Sequence, residues 1–231
     1  MFNEMSFSID ALTSNQPFCA GVILVKDKKV VTTLNSDGLP DGNQQLYRVG
    51  AVGGGQEPGE IVTDCALREA REETGAVYDL LNSPITYLYD MDNKKFKKIK
   101  CEDKIAPFFI EFKRNPKPYK PYKNGLPIGP YTYFVMYIAS SLTEDIYPSD
   151  DVEGLLVCPI SQWGKLEKEI TLTQAISLGC NLIERHTDPI DKNKKIWMDP
   201  DESMRKVARL LEKHSDLMNF NFSSNVDIFK F

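Results

Sequence analysis

The feature that most constrains the fold of this chain is a run of three glycines that precedes an acidic, amphipathic segment. Gly53–Gly55 comes after a predicted strand at 46–52, and a predicted helix follows from Ile61 to Thr74. Apolar residues recur along this helix at three- and four-residue spacing, as expected for one buried face; they are Ile61, Cys65, Ala66 and Ala70. Gly75 stands where a left-handed C-terminal cap is expected. The pattern therefore predicts a glycine-rich turn placed close to an acidic helix.

Strand patterns surround this helix, and helical patterns dominate the last quarter of the chain. The predicted strands are 19–25 and 30–34, which read as a hairpin, then 46–52, 85–89, 105–112, 131–139 and 155–158. Two helices are predicted within 171–218. This order predicts an α/β layered domain with a mixed sheet and a C-terminal helical extension. The 231 residues suit one domain, 1–231, with its core at about 17–165.

The composition limits the partners and the metal chemistry. A formal net charge of −5 gives no reason for the molecule as a whole to bind nucleic acid or membranes non-specifically. Five cysteines without a CxxC pair indicate reduced thiols, and a cytoplasmic protein is expected. The longest apolar runs fall far short of the roughly 20 residues of a membrane span. With only two histidines, a zinc site is disfavoured, and a bound metal should be a hard cation with oxygen ligands.

The predicted helix concentrates negative charge near its C-terminal end. Glu69, Glu72 and Glu73 fall on one side of the helix, where like charges at this spacing cost roughly 0.2–0.5 kcal/mol each. The negative end of the helix dipole adds a further penalty. A divalent cation bound between the carboxylates would explain the arrangement. The alternative is an ordinary solvated face, but the preceding glycines, which permit close backbone approach, favour a metal.

The stretch from Gly54 to Ala76 resembles the Nudix box. The matching glycine and charged positions are Gly54, Glu60, Arg68, Glu69, Glu72, Glu73 and Gly75, all in register, while Ala70 and Ala76 occupy the two aliphatic positions. The resemblance implies the Nudix fold, an α/β/α sandwich in which the box forms a loop, a helix and a loop. It also implies a pyrophosphohydrolase that cleaves a diphosphate bond in a nucleoside diphosphate linked to another moiety.

The resemblance also assigns roles to the box residues. Glu69 and Glu73 would be the principal ligands of Mg²⁺ or Mn²⁺, with Glu72 as a further ligand or as the general base. The carbonyl group of Gly54 could add a backbone ligand. Glu60 and Arg68 would form an ion pair that holds the loop against the helix, and the alternative for that pair is a surface contact of little value.

A second acidic segment precedes the predicted strand at 155–158. Asp150, Asp151 and Glu153 could supply an additional metal ligand or a base, and Asp151 and Glu153 are the favoured candidates. An ordinary turn-forming loop explains the same residues equally well.

The substrate cannot be read from the sequence. Where ADP-ribose hydrolases of the family often carry a proline after the box, this chain has Asp92. Nucleotide sugars, ADP-ribose and nucleoside triphosphates remain candidates. One alternative is a Nudix-fold nucleotide-binding regulatory protein without turnover, although such proteins usually lose box carboxylates. Another is an RNA-directed, decapping-like hydrolase. Related enzymes often form homodimers, and the resemblance carries that expectation.

The segment from Lys94 to Lys123, called the basic segment below, has a net charge of +8, and the insertion that contains it spans about 94–130. Prolines and tyrosines alternate with its lysines. One interpretation is a basic lip for a polyanionic substrate, in which Lys117 and Lys120 attract phosphates and a base stacks on Tyr119 or Tyr122. The other is a solvated hairpin followed by a polyproline-like loop.

Overall fold

Alternation of short strands with few helices defines the architecture of the computed structural model, which describes residues 6–91, 93–142, 145–185 and 189–214. The strands are β1 (Ser6–Phe7), β2 (Phe18–Ile23), β3 (Val25–Lys26), β4 (Lys29–Asn35), β5 (Leu46–Gly50), β6 (Val52–Gly55), β7 (Tyr78–Leu81), β8 (Thr86–Asp90), β9 (Lys95–Cys101), β10 (Phe109–Arg114), β11 (Tyr131–Ser141), β12 (Gly154–Pro159), β13 (Asn181–Glu184) and β14 (Lys195–Trp197). The helices are α1 (Ile9–Thr13), α2 (Val62–Thr74), α3 (Trp163–Leu166), α4 (Leu172–Ser177) and α5 (Ser203–Lys213).

The chain divides into two compact units, and each contains one sheet. Of the described residues, the first unit takes 6–22, 53–70 and 78–140. Its sheet has the order β1-β9-β8-β10-β11-β2-β6, with β7 paired to β11. The sheet is mixed, because β10 runs parallel to β8 and antiparallel to β11. Its core includes Phe108, Phe109 and Tyr137, which are almost completely buried.

The second unit takes 23–52, 71–77 and the described residues from 141 onward. Its sheet has the order β13-β12-β4-β5-β14, with β3 paired to β4. Most neighbours in this sheet are antiparallel, whereas β14 runs parallel to β5. The β3–β4 hairpin turns at Asp27 and Lys28, whose positive φ angles of 49° and 62° suit a two-residue turn. The core of this unit includes Leu34, Leu155 and Trp163.

The predicted α/β fold class with mixed sheets is confirmed, and the helix of the box begins within one residue of the prediction. Val62, Cys65, Ala66 and Ala70 form its buried face, each 0% exposed. Including Ile61 in that face was wrong, because Ile61 lies before the first turn and is 53% exposed. Gly75 has φ +67° and donates its N–H to the carbonyl group of Arg71 at 2.9 Å, as a left-handed cap requires.

Three local predictions were wrong. The glycine run does not break a strand, because β6 continues through Gly55. The hairpin predicted from 19–25 and 30–34 forms only at its tip, where Val25 pairs with Val30, while β2 joins the first sheet. The C-terminal helices are interrupted, since α4 ends at Ser177, Gly179 takes φ +96°, and Asn181–Glu184 pairs with β12. Positions 215–218 of the second predicted helix lie outside the described residues, as does Asp92.

The prediction of one domain over 1–231, with its core at about 17–165 and its insertion at about 94–130, stays a prediction. Within the described ranges, no helix combines the length and the apolar character that a bilayer crossing demands.

Candidate active site

Gly54 packs directly against the side chain of Glu69. A Cβ atom at position 54 would lie 2.3 Å from Glu69 Oε2 and 2.6 Å from its Cδ, which is far inside van der Waals contact. By contrast, a Cβ atom at Gly55 would meet nothing within 4 Å. The Glu69 side chain is only 15% exposed. Glycine is therefore required at position 54 so that the carboxylate can lie against the backbone of β6.

Arg68 connects the loop of the box to the helix of the box. Its Nε and Nη2 donate to the two carboxylate oxygens of Glu60 at 2.8 and 3.0 Å. Its Nη2 also donates to the carbonyl oxygen of Gly55 at 2.8 Å, and its Nη1 donates to Glu69 Oε1 at 2.7 Å. The planar guanidinium group can satisfy these acceptors at once because its donors have a fixed forked geometry. The ion pair thus fixes both the loop and the carboxylate of Glu69.

Glu60 is held by the turn that carries it as well as by Arg68. The backbone N–H of Glu57 donates to Glu60 Oε2 at 2.8 Å, and the N–H of Glu60 donates to the carbonyl group of Glu57 at 3.1 Å. Gly59 has φ +80°, which allows the turn to close. Burial raises the pKa of Glu60, but the hydrogen bonds from Arg68 and Glu57 outweigh burial and leave the pKa below its ordinary value of 4.5.

Cys65 lies beneath this ion-pair network. Its thiol contacts the carbonyl oxygen of Gly54 at 3.8 Å, and Arg68 Nη2 lies 3.7 Å from its sulfur. Burial, followed by the negative charges of Glu60 and Glu69, raises the pKa of this thiol. Cys65 is therefore a protonated packing residue and not a nucleophile.

The C-terminal end of α2 is capped by a segment that lies far away in sequence. Tyr147 N–H donates to the carbonyl oxygen of Thr74 at 2.9 Å, and Ser149 N–H donates to that of Glu73 at 3.1 Å. The ring of Tyr147 covers Gly75, where a Cβ atom would lie 2.1 Å from the ring. Glu73 is 8% exposed, and Glu72 is half-buried. These contacts satisfy the last carbonyl groups of the helix and hold its end in place.

The second acidic segment belongs to the same unit as this helix end. Asp150 has φ +52°, and its carbonyl oxygen accepts from the guanidinium group of Arg185. Asp151 is exposed, and Glu153 is half-buried with its N–H bonded to the carbonyl oxygen of Leu34 at 3.0 Å. Asp151 lies two residues after Ser149, whose N–H donates to the carbonyl oxygen of Glu73. A role for Asp151 or Glu153 as ligand or base stays a prediction.

The predicted substrate-binding residues of the basic segment lie on the loop between β10 and β11. Tyr119 and Tyr122 are 90% and 99% exposed, and Lys117 and Lys120 are exposed beside them. Lys123 Nζ lies 2.7 Å from Glu57 Oε1, which links this loop to the turn of the box. The role of the four predicted residues in substrate binding stays a prediction.

The donor atoms of the box suit a hard divalent cation. The carboxylate oxygens of Glu69 and Glu73 and the carbonyl oxygen of Gly54 are ligand types that Mg²⁺ and Mn²⁺ prefer. A carboxylate as buried as that of Glu73 needs compensating donors or a cation. Within the described ranges, no group of three or more His, Cys, Asp or Glu side chains is gathered so as to hold a metal ion. The donor types therefore fit the metal, whereas the structure does not gather Glu69, Glu72 and Glu73 into one ligand group, and Glu69 is engaged by Arg68.

Two features of the site could not be found by inspection of the sequence. The cap formed by Tyr147 and Ser149 joins residues more than 70 positions apart and uses backbone groups, which leave no sequence signature. The Glu57–Lys123 ion pair spans 66 positions. The lysine cluster was evident in the sequence, but nothing local indicated that it would contact the box.

The comparisons with known proteins point to one family. The NUDIX domain model matches residues 16–121, a range that contains the whole box and most of the first unit. No curated protein matches the chain. Similar solved structures include a NUDIX-family hydrolase from Clostridium perfringens (16% identity, 71% of this chain and 94% of that chain covered, TM-score 0.38) and a MutT NUDIX hydrolase from Burkholderia pseudomallei (15%, 71% and 96%, TM-score 0.36). An ADP-ribose pyrophosphatase from Streptococcus suis is similar at 13% identity, with 63% and 75% covered and a TM-score of 0.37.

The family match and the box geometry concern the same residues. The match covers every glycine and charged position of the box, from Gly54 to Gly75. Within that range, the structure connects the loop to the helix through the contacts of Arg68 with Glu60 and Glu69. The chain therefore carries a NUDIX domain at residues 16–121, and the complete box lies inside it.

Proposed function

We propose that this protein hydrolyses a diphosphate bond in a nucleoside diphosphate linked to another moiety, with Mg²⁺ or Mn²⁺ as its cofactor. Nucleotide sugars, ADP-ribose and nucleoside triphosphates are the candidate substrates. The observation that carries the proposal is the arrangement around Arg68, which holds Glu69 against Gly54 while its other nitrogens bind Glu60. A carboxylate fixed this firmly can act as a ligand without first being ordered.

The box residues divide the work by their environments. Glu69 and Glu73, with the carbonyl oxygen of Gly54, would hold the metal, because all three are hard oxygen donors. The metal supplies charge neutralisation on the phosphate oxygens and an activated water. Glu72 is half-buried, so it can accept a proton from a water at the helix surface and is the proposed base or additional ligand. Glu60 and Arg68 position Glu69 and do not themselves touch the reacting atoms.

A screen of diphosphate compounds, with and without Mg²⁺, tests the activity, and Glu73→Gln tests the site. Removing one ligand charge is expected to lower turnover by about 10²- to 10³-fold, since metal stabilisation is worth several kcal/mol and roughly 1.4 kcal/mol is tenfold. Glu212→Gln, at an exposed position of α5, is the matched control and should retain wild-type turnover. Titration calorimetry with Mn²⁺ should show weaker binding for Glu73→Gln only. Turnover of no compound by the wild type would instead favour a nucleotide-binding regulatory protein.

A second candidate function is RNA-directed, decapping-like hydrolysis, which the exposure of Tyr119 and Tyr122 favours. Exposed rings between lysines suit stacking of bases beside a phosphate backbone. Binding of a capped RNA, measured over a range of salt concentrations, separates the two functions. A steep salt dependence supports the RNA substrate, because phosphate contacts release counterions, and Tyr119→Ser/Tyr122→Ser should weaken binding at every salt concentration, because base stacking is lost. Equal binding of capped RNA by the wild type and by the double variant would exclude the RNA-directed function.

The setting of this activity is proposed as a cytoplasmic homodimer acting on a small molecule. All five cysteines are free thiols, which suits a reducing compartment. Sedimentation of the purified chain over a range of concentrations tests the dimer, and a monomer at every concentration would remove it.

A further inference from the structure

A cavity of about 420 Å³ lies in the first unit beside the turn of the box. Three segments surround it: α1 with the turn after it, the box residues 56–61, and the loop at 125–127. Its volume falls within the roughly 300–1,000 Å³ of ordinary small-molecule sites. The cavity is therefore large enough for a ring system with its substituents.

More than half of the residues that line this cavity lie outside the range that the NUDIX domain model matches. Phe18, Glu60 and Ile61 lie within the matched range 16–121. Asp10 and Asn15 on one side and Leu126 on the other lie outside that range. The cavity thus combines residues of the box with residues on both sides of the matched range.

The loop at 125–127 and Phe18 are both fixed to the turn of the box. Lys123 pairs with Glu57 at 2.7 Å, and Gly125 with φ +88° passes so close to Pro58 that a Cβ atom would lie 3.3 Å from that ring. On the opposite side, the N–H of Phe18 donates to Gln56 Oε1 at 2.6 Å. These contacts hold the cavity open in the free protein, so a ligand does not have to order it.

The residues that line the cavity include apolar side chains and groups that accept hydrogen bonds. Phe18 is buried, and Leu126 is half-buried, while Ile61 keeps 53% of its surface exposed although it is apolar. The hydroxyl groups of Thr13 and Ser14 donate to helix carbonyl groups at 2.8 and 3.0 Å, so their oxygens are left as acceptors.

Asp10 and Glu60 also line the cavity, and the carboxylate oxygens of Glu60 already accept from Arg68 and from the N–H of Glu57. No lysine, arginine or histidine is present among the described residues that line the cavity. A phosphate group is therefore disfavoured by charge, whereas a flat, uncharged ring that bears N–H groups can pack on the apolar residues and donate to Thr13, Ser14 or Asp10, with the amide of Asn15 able to donate or accept.

Glu60 also connects the cavity to the site of hydrolysis. Glu60 lines the cavity and its carboxylate binds Arg68, and Arg68 binds Glu69, the proposed metal ligand. We propose that this cavity binds the nucleobase of the substrate, a neutral heterocycle with an exocyclic amino group, while the diphosphate is handled at α2. This inference rests on the proposed function, because it names the part of the same substrate that lies away from the reacting bond.

Binding of phosphate-free nucleosides to the full chain tests the cavity without requiring turnover. Adenosine, guanosine, cytidine and uridine are titrated calorimetrically in the absence of metal. Leu126→Trp, which fills the cavity, should weaken nucleoside binding by about tenfold or more, in line with the effect of occluding an apolar pocket. Ile128→Trp, on the same loop but not lining the cavity, is the matched control and should bind within about twofold of the wild type. Far-ultraviolet circular dichroism and thermal melting establish that both variants fold.

A second variant tests the hydrogen-bonding groups that line the cavity. Asp10→Asn adds an amide donor where only acceptor oxygens stood, so the preference for cytidine over uridine should fall by about threefold or more. Nucleoside binding that Leu126→Trp leaves unchanged, or an absence of any nucleoside binding, would overturn the proposal. Hydrolysis by the wild type with an unchanged KM in Leu126→Trp would remove the cavity and leave the proposed function standing. Nucleoside binding by a protein that hydrolyses none of the compounds would support the cavity and overturn the proposed function.

Discussion

Two charged regions of the first unit differ in how their charges are held. Around the turn of the box, Arg68 and Glu60 are 22% and 11% exposed and are joined by two hydrogen bonds at 2.8 and 3.0 Å. Along the basic segment, Lys97 and Lys123 are about half exposed in their ion pairs, and the rings of Tyr119 and Tyr122 lie almost wholly in solvent. The first region shields its charges from water, whereas the second leaves these charges exposed; its exception is Lys113, which is 24% exposed beside the fully buried Glu111.

This difference decides what each region can do. A charge pair shielded from water keeps its orientation and can hold a neighbouring carboxylate in place, but removing one partner leaves the other desolvated and unpaired. Exposed pairs contribute little to stability and act on a ligand over distance, in a manner that salt screens. Changes at the turn of the box should therefore alter turnover and folding, whereas changes in the basic segment should alter the salt dependence of substrate capture.

The largest effect is expected from Gly54→Ala. The added methyl group would overlap the Glu69 carboxylate, which must then leave its place against β6. We expect turnover to fall by about 10²-fold or more, since a displacement of roughly 1 Å at a catalytic group can cost that much. Steady-state kinetics on the substrate found by the screen measure the effect.

The matched control for this change is Gly55→Ala, because a Cβ atom at Gly55 meets no neighbour within 4 Å. Its turnover should stay within about threefold of the wild type. Similar losses in Gly54→Ala and Gly55→Ala would show that general flexibility of the glycine run, and not the packing of Glu69, matters.

The next largest effect is expected from Arg68→Lys. A lysine cannot reproduce the forked contacts with Glu60, Gly55 and Glu69, so at least one acceptor loses its partner. We expect the free energy of unfolding to fall by about 1–3 kcal/mol, the cost of unsatisfied buried groups. Turnover should fall by roughly tenfold or more as Glu69 loses its constraint. Denaturant unfolding and kinetics measure the two effects.

The basic segment offers a matched change in Arg114→Lys, at the exposed end of β10. Its free energy of unfolding should change by less than about 0.5 kcal/mol, as is usual at an exposed site. A comparable loss of stability at positions 68 and 114 would contradict the distinction between the two regions.

The sequence was most informative where spacing along one helix sets the geometry. Glu60, Arg68 and Glu69 were selected by their offsets, and the helix that carries two of them begins at Val62, one residue from the predicted start. The error at Ile61 has a simple cause, because three- and four-residue spacing fits Val62 as well as Ile61 to the same face. Only the tertiary structure shows which of the two neighbours is buried.

The strand errors have a different cause, which is pairing between distant segments. Gly53 suggests a break in the strand. A Cβ atom added at this position would lie 2.5 Å from Gly21 Cα, so the glycine permits close approach to β2. Residues 181–184 continue a helical pattern, but Leu155 and Leu156 pair with Ile183 and Leu182 in the sheet. Local propensity could not predict either, because the partner strands decide them. For the same reason, the cavity beside the box had no sequence signal, since its walls come from three separate segments.

A smaller effect is expected from Lys117→Ser/Lys120→Ser in the basic segment. If these lysines attract a polyanionic substrate, KM should rise by about two- to tenfold at low salt, and the rise should shrink as salt screens the wild-type charges. Turnover at saturating substrate should not change. Lys165→Ser/Lys168→Ser removes two exposed lysines at the same spacing and serves as the control. An unchanged KM with an unchanged salt dependence would remove the basic segment from substrate capture.

The smallest effect concerns the response of Glu60 to pH. Burial raises its pKa, but the hydrogen bonds from Arg68 and Glu57 lower it to a net position below 4.5, so folding favours the ionised form. The resulting stabilisation is present above the unfolded-state pKa and is lost as pH falls through the lower, folded-state pKa. Glu60→Gln should therefore cost about 1–2 kcal/mol near neutral pH, and this deficit should shrink as the pH falls below 4.5. Glu102→Gln, at an exposed position of the basic segment, should cost less than about 0.5 kcal/mol throughout. Urea unfolding measured as a function of pH compares the two, and a Glu60→Gln deficit that stays constant into the acidic range would mean that the charge of Glu60 does not stabilise the turn of the box.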